Sequence, residues 1–338
     1  EGASRSSRTS PAHTQFKAPA HHLSNYMTHK IMCSDERFVE LFTTMGAAAT
    51  ARMLGVTERA VYRRRKMLEE KLDRPIYPPA RTPLTEHNNR IEIKLKDGVV
   101  LVGSDAHYWP SDQGTTAHRA FVKFCEDISP SVVVMNGDAL DGASISRHPP
   151  RGFEDIPTVA EELSAVTERL AEIEDAAPKA RRFWTMGNHD QRFEGKLAVA
   201  AREFDGVLGT RLVDHFEHWV FTYALMVNDD LMIKHRWKGG IHATHNNTLW
   251  AGMTMVTGHL HSLKVTPLTD LTETRWGVDT GTLAEPFGPQ FAYAEENPRN
   301  WRSGFVVLTI QKGVLRWPEV VHVVEPGVVE FRGELIEV

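Results

Sequence analysis

From Ser34 onward the apolar positions fall into two regimes. Phe38, Val39, Leu41, Phe42 and Met45 recur at helical spacing behind Ser34, an N-cap residue followed by Asp35 and Glu36 in the first turn. The pattern breaks at Gly46, resumes over Ala47–Leu54, and turns at Gly55–Val56–Thr57 into a basic helix running from Glu58 to about Leu72. Past residue 90, short unbroken apolar runs take over: Val99–Val102, Val132–Met135, Phe183–Met186, Leu231–Ile233 and Met253–Val256. These read as buried strands, with helical patterns over 115–128, 157–176 and 191–203 between them. Such alternation predicts an α/β fold. Gly304–Ile310 and Val314–Val324 carry strand patterns alone, which predicts a mixed α/β sandwich rather than a doubly wound sheet.

Residues 1–30 are polar and aperiodic and predict disorder; 75–95, with Pro75, Pro78, Pro79 and Pro83, predict a linker. The expected organisation is therefore a disordered segment at 1–30, an all-α helix-turn-helix-like domain at 31–74, a Pro-rich linker at 75–95 and a catalytic domain at 96–338. The net charge of −5 is unevenly spread: residues 1–90 hold 15 Lys/Arg against 9 Asp/Glu, the remainder 24 against 35. A basic N-terminal part beside an acidic body predicts separate roles. Arg59, Arg63, Arg64, Arg65 and Lys66 on the third helix are candidate phosphate contacts, the turn pattern and the charge agreeing on nucleic acid as partner. The alternative is a helical bundle whose arginines form a solvated face.

No apolar run reaches the roughly 20 residues of a membrane span, and Glu1–Lys30 has no signal-peptide core. Cys33 and Cys125 match no metal or redox spacing and predict free thiols in a reducing compartment, hence a cytoplasmic protein.

Five short blocks stand at the ends of predicted strands: Asp105–Ala–His107, Gly137–Asp138, Gly187–Asn188–His189–Asp190, the lone His235, and Gly258–His259–Leu–His261. In α/β sheets, loops beyond strand C-termini are where sites assemble. Carboxylates, an amide oxygen and imidazoles without thiolates suit hard-to-borderline divalent cations. Two such cations about 3.5–4 Å apart clamp a phosphoryl group and lower the pKa of a shared water, giving hydroxide at neutral pH. For the lone histidine, His235 is preferred because it ends an apolar strand; His242 and His245 are alternatives. His21, His22, His118 and His148 are expected at the surface. Tyr108, Trp109, Arg147, His148, Arg192 and Trp237 follow the blocks closely and are candidate substrate contacts, though wall packing explains aromatics there equally well. Trp301 is expected in the core.

The ordered series D-x-H, GD, GNHD, H, GHxH over roughly residues 96–311 resembles the signature of the calcineurin-like metallophosphoesterase superfamily. The resemblance implies a four-layer α/β/β/α sandwich. It implies Asp105, His107 and His261 on one metal, Asn188, His235 and His259 on a second, and Asp138 bridging both. His189 matches the family's non-ligating catalytic histidine, a general acid for the leaving oxygen. Asp141 matches the aspartate by which the phosphatase branch orients that histidine, while Asp190 would support from behind. This chain departs from the pattern at Arg236, where glycine often follows the lone histidine, and at Gly142, where protein phosphatases often carry arginine.

The expected function is hydrolysis of phosphate esters by hydroxide held between two divalent metals, with Mn²⁺ favoured and Fe, Zn or Co alternatives. The basic helices favour a phosphodiesterase or nuclease acting on nucleic acid. The layout resembles phosphoesterases encoded by bacteriophages and prophages. Phosphomonoesterase activity on nucleotides or proteins is the alternative, and a DNA-binding assembly protein with a vestigial metal site the second.

Overall fold

The computed structural model describes residues 33–74, 76–78, 89–110, 112–148, 152–297 and 299–338. The expected disordered segment 1–30, with His21 and His22, and most of the Pro-rich linker lie outside the described residues. The chain divides into two compact units, Glu1–Thr85 and Glu86–Val338.

In the first unit, α1 (Asp35–Leu54) starts where the Ser34 side chain accepts from Arg37 N, and Gly46 breaks its helical geometry at φ 75°. Gly55 ends it in the left-handed region, which only glycine enters without a Cβ penalty, and Thr57 caps α2 (Glu58–Leu72). Phe38, Leu41, Phe42, Leu54, Val61 and Leu68 close a small core. Ile76, expected in the linker, is buried in that core, and its N–H donates to Glu69 Oε1 at 2.8 Å.

The second unit is built on two mixed sheets. One has six strands, in the order β1 (Arg90–Ile93), β6 (Ala224–Val227), β7 (Leu231–Ile233), β8 (Thr254–Thr257), β10 (Thr274–Asp279), β9 (Lys264–Thr269). The other has nine. Its path runs β15 (Glu334–Glu337), β14 (Val328–Phe331), β13 (Glu319–Glu325), β11 (Gly304–Gln311), β2 (Gly98–Gly103), β3 (Val132–Met135), β4 (Arg181–Thr185), β5 (Val220–Thr222), and β12 (Val314–Leu315) pairs with β11 off this path. The linker expected to reach residue 95 thus yields a strand at 90–93, paired in parallel with β6. Its Ile-x-Ile is too short to stand out beside the prolines.

Side-chain alternation assigns the layers. Val100, Val102, Val132, Val134, Val306 and Leu308 point into one core, shared with Leu225, Ile233, Val256 and Val278 of the six-stranded sheet. Their neighbours Leu101, Val133, Met135, Phe305 and Val307 point the other way, onto Phe121 and Phe124 of α3 (Thr116–Ile128) and Val166 and Leu170 of α4 (Val159–Ala176). Strands buried on both faces read as continuous apolar runs for this reason. α6 (Ala243–Ala251) packs on the six-stranded sheet, where Thr244 and Thr266 hydroxyls meet at 2.8 Å. The result is the four-layer α/β/β/α sandwich, with α5 (Asp190–Ala200) adding Phe193 to the helix-side core.

Candidate metal centre

β2, β3 and β4 run parallel, as do β7, β8 and β10, so their C-terminal ends gather at one edge of the two sheets. Every one of the five blocks follows one of these strands. The first block continues the ladder past the strands: Asp105 N donates to Gly137 O at 2.8 Å and His107 N to Asp138 O at 3.0 Å. Asp105, His107, Asp138, His259 and His261 all have positive φ, between 41° and 72°. Non-glycine residues rarely adopt this conformation, and it persists where surrounding bonds over-determine it, characteristically at functional sites. Two glycines show how closely the blocks interlock. A Cβ on Gly137 would lie 2.3 Å from His235 Nδ1, and one on Gly187 would lie 2.0 Å from Asp138 Oδ1.

Ligand-type atoms converge into three groups, each within 4.8 Å: Asp105, His107 and His261; Asp138, His235 and His259; and His107, Asp141 and His189. Burial separates the candidates for the lone histidine. His235 is buried with Nε2 3.1 Å from Asp138 Oδ2, whereas His242 is exposed at the start of α6 and His245 lies half-buried on that helix. His235 Nδ1–H donates to Asn136 O at 2.8 Å and His107 Nδ1–H to Asp141 Oδ1 at 2.8 Å, which turns both Nε2 atoms inward. His107 Nε2, His235 Nε2, His261 Nδ1 and Asn188 Oδ1 are buried and make no hydrogen bond. Buried polar atoms are normally paired, so four orphaned acceptor-capable atoms beside two carboxylates form a donor set that fits divalent cations.

Burial pushes the carboxyls of Asp105 and Asp138 up, but the facing histidines outweigh it and hold both below the ordinary range. Those carboxylates hold His235 up at about 10 against its own burial. Asp141 is likewise depressed, burial being overcome by its bonds to His107 and His189. For His189, burial lowers the pKa, yet Asp141 and Asp138 raise it on balance. His189 Nδ1 meets Asp141 O at 2.9 Å and Asp141 Oδ1 at 3.1 Å, while Arg192 Nη2 lies 3.1 Å from Nε2. Both cannot donate, so Nε2 is here the acceptor and the imidazole is neutral.

Behind the cluster, Asp190 accepts from Asp138 N, Gly187 N and Trp184 Nε1 at 2.8, 2.8 and 2.9 Å. Burial, then the charge of Asp138, raises its pKa to about 6. Four contributors were not recognised from the sequence. Asp279, at the end of β10, accepts from Ser262 N, just after His261, and from Gly281 N, just after the strand. Glu162 of α4 accepts from Gly142 N at 2.5 Å and Ala143 N at 2.9 Å, clamping the loop that carries Asp141. Trp301 is half-buried rather than core; it and Phe291 pack on His261 at ring separations of 4.7 and 5.4 Å. An aspartate closing an apolar strand is the signal that Asp279 shares with the recognised blocks; Glu162 and the aromatics gave none.

Tyr108, a candidate substrate contact, is buried, and its hydroxyl meets His118 Nδ1 at 3.0 Å. His118, expected at the surface, is fully buried, because Tyr108 and Glu172 (2.6 Å from Nε2) satisfy both ring nitrogens. Arg147 and His148 are exposed on the loop after β3, and Trp109 is half-buried. Cys33 and Cys125 are free.

No protein-family model matches the sequence, and no curated protein does. Among solved structures it is similar to Yfce, a phosphoesterase from E. coli (16% identity, 65% of this chain and 97% of that one, TM-score 0.32). It is also similar to Vps29 from Chaetomium thermophilum (10%, 66% and 88%, TM-score 0.35). A third is a protein serine/threonine phosphatase from Saccharomyces cerevisiae with similarity to human PP5 (12%, 70% and 84%, TM-score 0.35). At such scores these likenesses carry no weight for function. In its layered fold, in the order of its motifs and in the buried Asp/His groups on which they converge, the chain resembles the calcineurin-like metallophosphoesterases.

Proposed function

We propose that the protein is a dinuclear-metal phosphoric ester hydrolase whose substrate is a phosphodiester of nucleic acid. The observation that carries the first half is the pair of groups Asp105/His107/His261 and Asp138/His235/His259, which hold unpartnered imidazole nitrogens, together with the buried, unbonded Asn188 amide oxygen. When bound, two divalent cations supply Lewis-acid activation of water and neutralise charge on the phosphoryl group. Asp138, whose Oδ1 accepts from His189 N at 2.8 Å and whose Oδ2 faces His235, would be the carboxylate that holds both. His189, held by Asp141 through Nδ1, is neutral while Arg192 donates to Nε2; once Arg192 turns to the phosphoryl oxygens, Nε2 would take up a proton from solvent and pass it to the leaving oxygen. Manganese is the favoured metal, since mixed O/N ligation without thiolate suits it, with iron, zinc and cobalt as alternatives.

The diester preference rests on the helical unit. Arg59, Arg63 and Lys66 share one exposed face of α2 and line an open concavity with Tyr62. Their spacing matches a face that meets phosphates. Arg64 is half-buried, bonded to Cys33 O and Asp35, and Arg65 pairs with Glu69, so these two are left out of that face. Protein stripped with chelator and reloaded with Mn²⁺ is expected to cleave DNA and bis-p-nitrophenyl phosphate; hydrolysis confined to monoesters would overturn the diester assignment. The monoesterase reading keeps one specific support, the bond between Asp141 and His189.

A further inference from the structure

Between Leu231 and Thr269 the sequence holds no aspartate or glutamate, although the chain beyond residue 90 is otherwise rich in acids. The same stretch carries Lys234, Arg236, Lys238 and Lys264, so an acidic body bears a local cationic island. It also bears apolar surface. Trp237 is 47% exposed and Trp250 70%, beside exposed Ile241 and Leu249. The charges and rings interleave: Lys238 Nζ lies 4.5 Å from the Trp250 ring centre and 5.6 Å from that of Trp237, with Lys234 Nζ 5.8 Å from Trp237.

The surface is held in place from beneath. Lys238 N donates to Asn247 Oδ1 of α6 at 3.0 Å, and Lys264 Nζ donates to Ile241 O at 3.1 Å. Both ends of the segment run into the candidate metal centre: Trp237 stands two residues after His235, and α6 leads through β8 to His259 and His261. Single-stranded nucleic acid is bound by this kind of surface, a cationic track with aromatic faces on which unstacked bases lie. A duplex keeps its base faces stacked and offers nothing to the two tryptophans.

We infer that Arg236, Trp237, Lys238 and Trp250 form a docking track for single-stranded polynucleotide that delivers one of its phosphodiesters to the metal centre. The inference rests on the diesterase reading and supplies its strand preference. Trp237 and Trp250 stack bases, while Arg236 and Lys238 meet the phosphates between them.

The test uses the full chain and a fluorescein-labelled dT15. Binding is read by anisotropy in EDTA, where no turnover occurs, and cleavage is read with Mn²⁺. The Trp237→Ala/Trp250→Ala double variant and Lys238→Glu are each expected to weaken dT15 binding about tenfold or more. Both should raise KM for dT15 cleavage, and Lys238→Glu should keep wild-type turnover of bis-p-nitrophenyl phosphate, which is too small to reach the track. Lys238→Arg should restore binding. Wild-type dT15 affinity in the double variant overturns the track. So does absence of dT15 binding by the wild type, or affinity of the patch for phosphatidylserine vesicles in its place. Because binding is read without metal, it decides the track even where the wild type fails to turn over bis-p-nitrophenyl phosphate, a result that would remove the diesterase reading alone.

Discussion

Asp141 serves two histidines at once: its Oδ1 lies 2.8 Å from His107 Nδ1 and 3.1 Å from His189 Nδ1. The two bonds do different work. The first fixes the tautomer and aim of an imidazole in the candidate metal centre, and the second orients the proposed general acid. Replacing Asp141 by Asn is therefore expected to weaken metal retention about 10–100-fold and to lower kcat as well, read by metal content after dialysis alongside turnover. His189→Ala separates the two effects. It should lower kcat by about 10²–10⁴ on esters with poor leaving groups while metal content stays at the wild-type level. Turnover that survives the substitution would remove His189 from the general-acid role. Asp141 and His189 could be read from the sequence because each stands within a few residues of a recognisable block. Trp301 could not, because its contact with His261 is made across 40 positions by the return of the chain toward β11.

The strand ends carry the site, and the helix behind them sets the pose of its loops. Runs such as Val132–Met135 were legible because strands covered on both faces are apolar throughout. The half-exposed β9 was not, since Lys264–Thr269 alternates weakly and Pro267 interrupts it, and the mostly buried β10 was not, since it carries only Trp276 and Val278 as apolar positions. Nor could sequence show that Glu162, one turn into α4, would reach the Asp141 loop; in a helical pattern it reads as a solvated acid. Burial raises the pKa of Glu162 from 4.5 to about 7, against the two N–H bonds that lower it. A carboxyl raised in the folded state holds its proton more tightly there than in the unfolded chain. Its contribution to stability is thus greatest below about pH 4.5, falls as pH rises, and is lost above about pH 7. Glu162→Gln removes this titration. The stability of the wild type relative to the variant should fall between about pH 4.5 and 7, by up to about 3 kcal/mol. Parallel urea-melt profiles for the two proteins over that range would show that Glu162 does not titrate in this way.

Two compact units divide the chain, and charge divides with them: the N-terminal ninety residues are net basic and the remainder net acidic. An acidic body repels polynucleotide at long range, so a basic appendage is a direct way to raise the local concentration of phosphodiesters at a hydrolase. Within α2 the cations are not equivalent. Arg64 lies 4.7 Å over Phe38 and Arg65 5.7 Å over Phe42, both turned to the helical core, whereas Arg59, Arg63 and Lys66 face solvent one turn apart. The basic run was plain in the sequence; which of its members face outward needed the packing of α1 on α2. Replacing Arg59, Arg63 and Lys66 together by Glu should weaken DNA binding roughly alike across sequences. Each lost phosphate contact lowers the slope of log K against log salt by about 0.9, so three contacts reduce it by about 3. Turnover of bis-p-nitrophenyl phosphate should not change, because that substrate needs only the metal centre. Equal salt slopes in wild type and triple variant would remove the helical unit from nucleic-acid recognition and return its arginines to a solvated face.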